Sequence, residues 1–138
     1  AMKVVPDIER MGAHASDIAE IIPHLVTVRK ERDPAVSQAI AMGRKAYQMI
    51  LDAMDALTAE DEITARRVIA ADDAVDYDFN TIKRMLAAEI AADSGKVDAA
   101  LDVLMVIKYL ERIGDHAVNI AEWVEFLRTG RYHHEKMF

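Results

Sequence analysis

The chain has 138 residues, of which 52% are hydrophobic, enough for one domain with a buried core. It contains no cysteine, which excludes disulfides, thiolate metal sites and cysteine nucleophiles. Its formal charge of -7, without a local basic patch, argues against a nucleic-acid partner. No apolar stretch approaches the roughly 18 residues that a membrane span requires, and the N-terminus lacks the pattern of a signal peptide, so we expect a cytoplasmic protein.

The composition favours an all-α chain, because only 5 Gly and 3 Pro occur among many strong helix formers. The pattern predicts four helices. The first is expected over residues 2–30, with a kink or interruption at Pro23. Asp33 as N-cap and Pro34 at the first helical position predict a second helix over residues 34–57.

The third and fourth helices are predicted from their end signals. Thr58 and Asp61 have the spacing of a capping box, which predicts a third helix that runs to Ala92. The fourth is expected over residues 96–129, before Gly130, a residue type favoured just past a helix C-terminus. Long helices with short connections give antiparallel neighbours, so the expected architecture is an up-and-down helical bundle.

An internal repeat divides the chain. Residues 9–20 read ERMGAHASDIAE and residues 111–122 read ERIGDHAVNIAE, with eight of twelve positions identical. The copies lie 102 residues apart, so a tandem duplication predicts that the chain begins at the third helix of a six-helix protein. Ala1 before Met2 is typical of a cloning remnant. Two missing helices would expose an apolar surface, which predicts a homodimer or a swapped assembly.

Two pairs of acidic residues indicate a metal site. Asp72 interrupts an apolar stripe of the third helix, and Asp76 lies one turn further on. Glu111 and Asp115 repeat this spacing beside the packing face of the fourth helix. Converging carboxylates need cations, protons or water between them, and with Asn119 one turn beyond, an all-oxygen set suits Mg, Mn, Fe or Ca, with zinc also possible. Alternatively, these acids line solvent or pair with nearby Arg and Lys residues.

Three further residue types recur in both copies of the repeat. They are Arg10 and Arg112, Gly12 and Gly114, and His14 and His116. The arginines could hold a carboxylate or phosphate, but intramolecular ion pairs are the expected use. The mid-helix glycines predict a close helix crossing, and the histidines are expected at the surface or between packed helices.

The segment from Leu110 to Trp123, LERIGDHAVNIAEW, closely resembles the signature helix of the PhoU family, and ADDAVD, which carries Asp72, Asp73 and Asp76, resembles the family's other acidic motif. The resemblance covers nearly the whole chain. It implies a PhoU-like three-helix repeat with one extra N-terminal helix. The implied units are residues 1–33 as the last helix of an incomplete first repeat, residues 34–130 as the complete second repeat and residues 131–138 as a C-terminal tail.

The resemblance also implies a function. Members of the family are non-enzymatic, cytoplasmic negative regulators of phosphate uptake that link the Pst phosphate ABC transporter to a sensor histidine kinase at the inner membrane face. Their E/D-x-x-x-D motifs bind iron, zinc or magnesium. Carried over by position, the ligands here are Asp72, Asp76, Glu111 and Asp115, with Asn119 as a neighbour. Ala13 replaces the corresponding Asp in the first copy, which leaves the site of the first repeat incomplete.

Two other functions are compatible with an acidic helical bundle. A ferritin-like, carboxylate-bridged metal oxidase would carry Glu-x-x-His pairs, but Gly12 and Gly114 follow Glu9 and Glu111 at that spacing. A metal-free helical interaction module would tolerate Asp72 as an isolated acid. For such a module, the substitution Asp72→Asn should leave stability unchanged.

Overall fold

The computed structural model describes residues 2–29 and 33–130, which form four α-helices. They are α1 (Val5–Val28), α2 (Pro34–Ala59), α3 (Glu62–Ala92) and α4 (Val97–Thr129), with short 3-10 turns at Met2–Val4 and Ser94–Lys96. No strand occurs in either described range, and the all-α prediction is confirmed. The predicted tail, residues 131–138, lies outside the described residues.

Two of the predicted helix ends have the expected capping geometry. The side-chain oxygen of Asp33 accepts hydrogen bonds from the backbone N–H groups of Ala35 (2.9 Å) and Val36 (3.3 Å), which fixes the start of α2. Gly130 closes α4 with a φ of 76°, in the left-handed region that glycine adopts without strain. Both ends are set by local chemistry, which is why the sequence predicts them.

The predicted cap at Thr58 is wrong. The residue lies inside α2, and its hydroxyl donates to the carbonyl of Met54 at 2.9 Å instead of capping a new helix. Asp61 is the N-cap of α3, and its carboxylate accepts from both the hydroxyl and the backbone N–H of Thr64. These hydrogen bonds hold the pKa of Asp61 below its usual value.

The predicted interruption at Pro23 does not occur, since α1 continues through this residue to Val28. Proline cannot donate to the carbonyl four residues earlier, which belongs to Ala19. Pro23 and Ala19 are both exposed, so water can hydrate that carbonyl. The helix therefore tolerates the proline on its solvent face.

A buried arginine joins four helix ends at one end of the bundle. Arg29, just past α1, donates to the carboxylates of Asp33 at the start of α2 and Glu89 near the end of α3. It also donates to the carbonyl of Ala99, in the first turn of α4, at 3.3 Å. The ends of α1 and α3 therefore lie beside the starts of α2 and α4.

The opposite end of the bundle shows the complementary arrangement. Arg66, in the first turns of α3, lies 3.3 Å from the carboxylate of Glu125 near the end of α4. Asp7, in the first turn of α1, accepts from the amide nitrogen of Asn119 in the second half of α4 at 3.1 Å. Consecutive helices therefore alternate in direction, and the antiparallel bundle is confirmed.

The fourth helix is the centre of the packing. It contacts α1, α2 and α3, whereas α1 contacts neither α2 nor α3 within the described ranges. One row of α4 is almost fully buried, and its members are Val103, Ile107, Ile113, Ala117, Ile120, Ala121 and Val124. In α2, buried alanines such as Ala46 and Ala53 permit close approach of the neighbouring helices. None of the described helices is long and apolar enough to cross a membrane.

An apolar groove of about 320 Å³ separates α1 from α2 above α4. Its lining side chains are Ile18, Ile22, Leu25, Val26, Arg29, Val36, Ala39, Ile40, Gly43, Val103, Val106 and Leu110. Val26 is 66% exposed and Ile40 is 44% exposed, so part of this surface is open to solvent. The groove is the described surface that agrees best with the expected exposed apolar face.

Candidate metal centre

The two predicted acidic pairs lie on helices that pack directly against each other. A separation of four residues puts Asp72 and Asp76 on one face of α3, and the same separation puts Glu111 and Asp115 on one face of α4. Val68 and Val75, on the same stripe as Asp72, are buried and hold α3 in the core. We refer to these four carboxyl groups as the acidic cluster.

Burial and neighbouring negative charges raise the pKa values of the three aspartates of the acidic cluster. Burial, the largest cause, and the negative charges of Asp76, Asp115, Asp73 and Glu111, in that order, together raise the pKa of Asp72 from 3.8 to about 6. Burial followed by the charge of Glu111 also raises the pKa values of Asp76 and Asp115. The folded chain therefore brings like charges together at a cost in free energy.

One oxygen of the acidic cluster has no partner at all. The Oδ1 atom of Asp72 is buried and accepts no hydrogen bond in the described structure. A Cβ atom placed on Gly114 would lie 3.4 Å from this oxygen and 3.7 Å from the side chain of Met49. The missing side chain at Gly114 thus makes room for Asp72 between the helices, and a buried acceptor without a donor is costly unless a cation or proton meets it.

The two glycines that recur in the repeat lie in different environments. Gly114 is buried at the contact with α3, as the predicted close crossing requires. A Cβ atom on Gly12 would meet nothing within 4 Å, because this side of α1 is open. The predicted close crossing at Gly12 is therefore wrong for the described structure.

Lys108 is the cation that pairs with the acidic cluster in the described structure. Its ammonium lies 2.9 Å from the carboxylate of Glu111 and 5.3 Å from the centre of the Phe79 ring. As the side chains stand, no three His, Asp or Glu groups in the described ranges are close enough to hold one metal ion.

The fifth predicted ligand, Asn119, contacts α1 and not α3. Its amide nitrogen donates to Asp7 of α1 at 3.1 Å, and Nδ1 of His116 lies 2.8 Å from the same carboxylate. No sequence pattern singles out Asp7, since its partners are more than 100 residues away. Its role is to tie the start of α1 to α4.

The predicted helix-packing role of the two repeated histidines agrees with their geometry. The rings of His14 and His116 are 5.7 Å apart and nearly parallel, and His14 also stacks on Tyr109 at 5.5 Å. The predicted ion pairs of Arg10 and Arg112 are absent, since neither guanidinium has such a partner in the part of the chain described. Both arginines instead line a cleft of about 430 Å³ beside the two rings.

The fold and this site define a class: an antiparallel α-helical bundle with paired carboxylates on two packed helices. The sequence model of the PhoU domain matches residues 40–124, well over half of the chain. The chain belongs to the PhoU domain family. The matched segment lies within the predicted second repeat, residues 34–130, and the division of the chain into repeat units stays a prediction.

Individual relatives agree with this family. The chain is 36% identical over 131 residues to a phosphate-specific transport system accessory protein PhoU homolog of Zymomonas mobilis, and 38% identical over 130 residues to one of Clostridium acetobutylicum. These alignments cover 95% and 94% of this chain, but only 54% and 58% of the relatives. The chain thus spans little more than half the length of these relatives.

Two solved structures are similar in fold. The crystal structure of PhoU from Pseudomonas aeruginosa matches with a TM-score of 0.87 at 32% identity, over 94% of this chain and 61% of that protein. The structure of the phosphate transport system regulatory protein PhoU from Streptococcus pneumoniae matches with a TM-score of 0.79 at 26% identity, over 96% of this chain and 62% of that protein. Both confirm the helical-bundle arrangement.

Proposed function

We propose that this protein is a non-enzymatic negative regulator of phosphate uptake and phosphate-starvation signalling, which binds metal at the acidic cluster and contacts the Pst phosphate ABC transporter and a sensor histidine kinase. The observation that carries the proposal is the acidic cluster with its partnerless buried oxygen on Asp72. Relatives named as accessory proteins of a phosphate-specific transport system support the regulatory part.

A metal ion would relieve the repulsion within the acidic cluster. Asp72 and Asp76 supply oxygens from α3, Glu111 and Asp115 supply oxygens from α4, and such a set suits iron, zinc or magnesium. Binding requires that Glu111 leave Lys108 and that side chains rotate on otherwise fixed helices. A cation favours the charged carboxylates, so metal binding releases protons from groups whose pKa values are raised.

Metal binding would affect regulation through the exposed surface beside the acidic cluster. Asp73, Asp115 and the ring of Tyr77 are exposed on or beside this face, so an incoming cation changes the charge of a surface that a partner can contact. The ion would also tie α3 to α4 and make that surface more rigid. In this proposal the metal acts on surface charge and rigidity, and no substrate is transformed.

One observation favours the second candidate, a metal-free helical interaction module. Lys108 already neutralises Glu111, and no three acids in the described ranges stand ready around one ion. In that case the raised pKa of Asp72 would be a tolerated cost of packing α3 against α4. The two candidates differ in whether the protein contains metal and in whether the acidic cluster is needed for regulation.

The test in cells uses two charge-matched double variants, Asp72→Asn/Asp115→Asn and the control Asp55→Asn/Asp98→Asn, introduced into the host's own gene. Asp55 and Asp98 are exposed and lie outside the acidic cluster. Phosphate uptake and a phosphate-starvation reporter are measured in phosphate-rich medium. We expect a derepressed reporter in the cluster variant only. Equal repression in both variants, at equal protein levels, would contradict a role of the acidic cluster in regulation.

The predicted homodimer is a separate part of the proposal. It depends on the apolar groove between α1 and α2, where residues such as Val26 are exposed. Light scattering coupled to size exclusion should give twice the chain mass for the unmodified protein. The substitution Val26→Glu should reduce the measured mass to that of the monomer. If the unmodified protein is monomeric at all concentrations, the predicted homodimer is wrong.

A further inference from the structure

The sequence repeat brings two copies of an Arg-x-x-x-His unit to one place in the fold. Arg10 and His14 are separated by one turn of α1, and Arg112 and His116 are separated by one turn of α4. Because α1 packs on α4 with the two rings stacked 5.7 Å apart, all four side chains line a single cleft, together with Asp115. We call this site the Arg–His cleft.

The Arg–His cleft contains cationic groups that nothing in the described chain neutralises. Neither Arg10 nor Arg112 forms an ion pair or a hydrogen bond within the described ranges, although the chain carries a net charge of -7 and has many carboxylates. Arg29, Arg66 and Arg67 are paired, whereas the exposed side chains of Arg44, Arg84 and Arg128 also form no ion pair among the described residues. Arg10 and Arg112 are distinguished from these three by their place in one cleft, beside two stacked histidine rings.

The histidines of the Arg–His cleft indicate a positive local field. Burial first, and then the charges of His116, Arg112 and Arg10, lower the pKa of His14, while Asp17 opposes the shift. The Nδ1 atom of His14 is buried without a hydrogen-bond partner, at 3.8 Å from Asp17. The Nδ1 atom of His116 is held by Asp7. The ring of His14 is held beside the arginines by stacking on Tyr109 and His116.

We propose that the Arg–His cleft binds a tetrahedral oxyanion, either free inorganic phosphate or the phosphoryl group of a small phosphorylated molecule. Guanidinium groups present parallel N–H donors that match the oxygens of such an anion, and one from each helix would hold it from two sides. A cleft of about 430 Å³ has room for an organic group attached to the phosphate. The site is independent of the proposed metal and shares only Asp115 with the acidic cluster.

The carboxylate of Asp115 determines which side of the Arg–His cleft an anion can occupy. It lies at the boundary between the Arg–His cleft and the acidic cluster. An anion in the cleft must lie on the side of the two arginines, away from this oxygen. A singly charged carboxylate gains less from two arginines than a doubly charged phosphate does, so acetate should bind more weakly than phosphate.

The test is calorimetric titration of the full chain, in buffer without phosphate or sulfate, with inorganic phosphate, glycerol 3-phosphate and acetate. The variant Arg10→Gln/Arg112→Gln removes both guanidinium groups, and Arg44→Gln/Arg84→Gln is its control with the same change in net charge. Arg44 and Arg84 are exposed and lie outside the cleft. We expect saturable binding of one phosphate, weakened at least roughly tenfold in the cleft variant and by less than about twofold in the control.

A second measurement does not depend on the folding of any variant. In the unmodified protein, phosphate should shift the ring resonances of His14 and His116 with the same saturation curve, while His24, which pairs with Asp102 near the other end of α1, should not move. Tighter binding of glycerol 3-phosphate identifies a phosphorylated molecule as the occupant, and tighter binding of inorganic phosphate identifies the free anion. The absence of saturable binding, or equal weakening in the two double variants, would overturn the proposal.

Discussion

Replacing Asp72 by Asn should stabilise the metal-free protein at neutral pH. The pKa of Asp72 is raised from 3.8 to about 6 in the folded chain, mainly by burial, so its charged form is disfavoured by folding. A difference of one pKa unit corresponds to ~1.4 kcal/mol, which would give about 3 kcal/mol in a fully enclosed site. Asp72 is only half-buried, and solvent screening reduces the expected gain to about 1–2 kcal/mol.

The stability difference between Asp72→Asn and the unmodified protein should vary with pH. Between pH 4 and pH 6 the folded protein binds more protons at Asp72 than the unfolded chain, so the unmodified protein loses stability as the pH rises through this window. Asn does not titrate. The increase in the free energy of unfolding caused by Asp72→Asn should therefore be near zero below pH 4. It should grow up to about pH 6 and remain constant above it.

Urea unfolding of chelator-treated protein, followed by circular dichroism at several pH values, measures this difference. In thermal unfolding at pH 7, the melting temperature of Asp72→Asn should exceed that of the unmodified chain by roughly 3–8 °C. Asp55→Asn, at an exposed position, is the control and should change little. A variant that is less stable at pH 7, or an advantage that does not vary with pH, would refute the reasoning, because Asp72 would then be making favourable interactions as a carboxylate.

Two other predictions concern single positions. Arg29→Met should destabilise the fold by about 2–4 kcal/mol in urea unfolding, because the carboxylates of Asp33 and Glu89 lose their shared cation, and a loss below about 1 kcal/mol would mean that the three groups do not act together. Gly12→Ala should raise stability by about 0.5–1 kcal/mol, since a methyl group there meets open space and alanine favours helix. Gly114→Ala should raise the free energy of unfolding by less, because its methyl group would lie against Asp72. An equal increase at both positions would contradict the close packing at Gly114.

The parts of the fold that could be predicted from the sequence depend on local chemistry. Asp33 and Gly130 carry signals that act within a few residues, and the structure puts helix ends at both. Thr58 misled the prediction because a threonine hydroxyl can cap a new helix or bond back to its own, and here it bonds to Met54. A spacing of four residues was enough to predict that Asp72 and Asp76 share a face.

Contacts between distant segments could not be predicted in the same way. Lys45 pairs with the buried carboxylate of Asp78 at 2.7 Å, although the two residues are 33 positions apart in the sequence. The partners of Arg29 lie on three other helices and depend on how the helix ends meet. The repeat predicted the equivalence of residues such as Arg10 and Arg112, but only the packing of α1 on α4 brings them into one cleft.

The metal content of the purified protein tests the central claim most directly. The chain is isolated without a metal-affinity column, and its iron, zinc, magnesium and manganese are measured beside the Asp72→Asn/Asp115→Asn variant and the exposed control Asp55→Asn/Asp98→Asn. We predict near-stoichiometric metal in the unmodified protein and in the control, and its loss in the cluster variant. Equal metal in all three proteins, or none in any of them even after incubation with these ions, would contradict a metal centre at the acidic cluster.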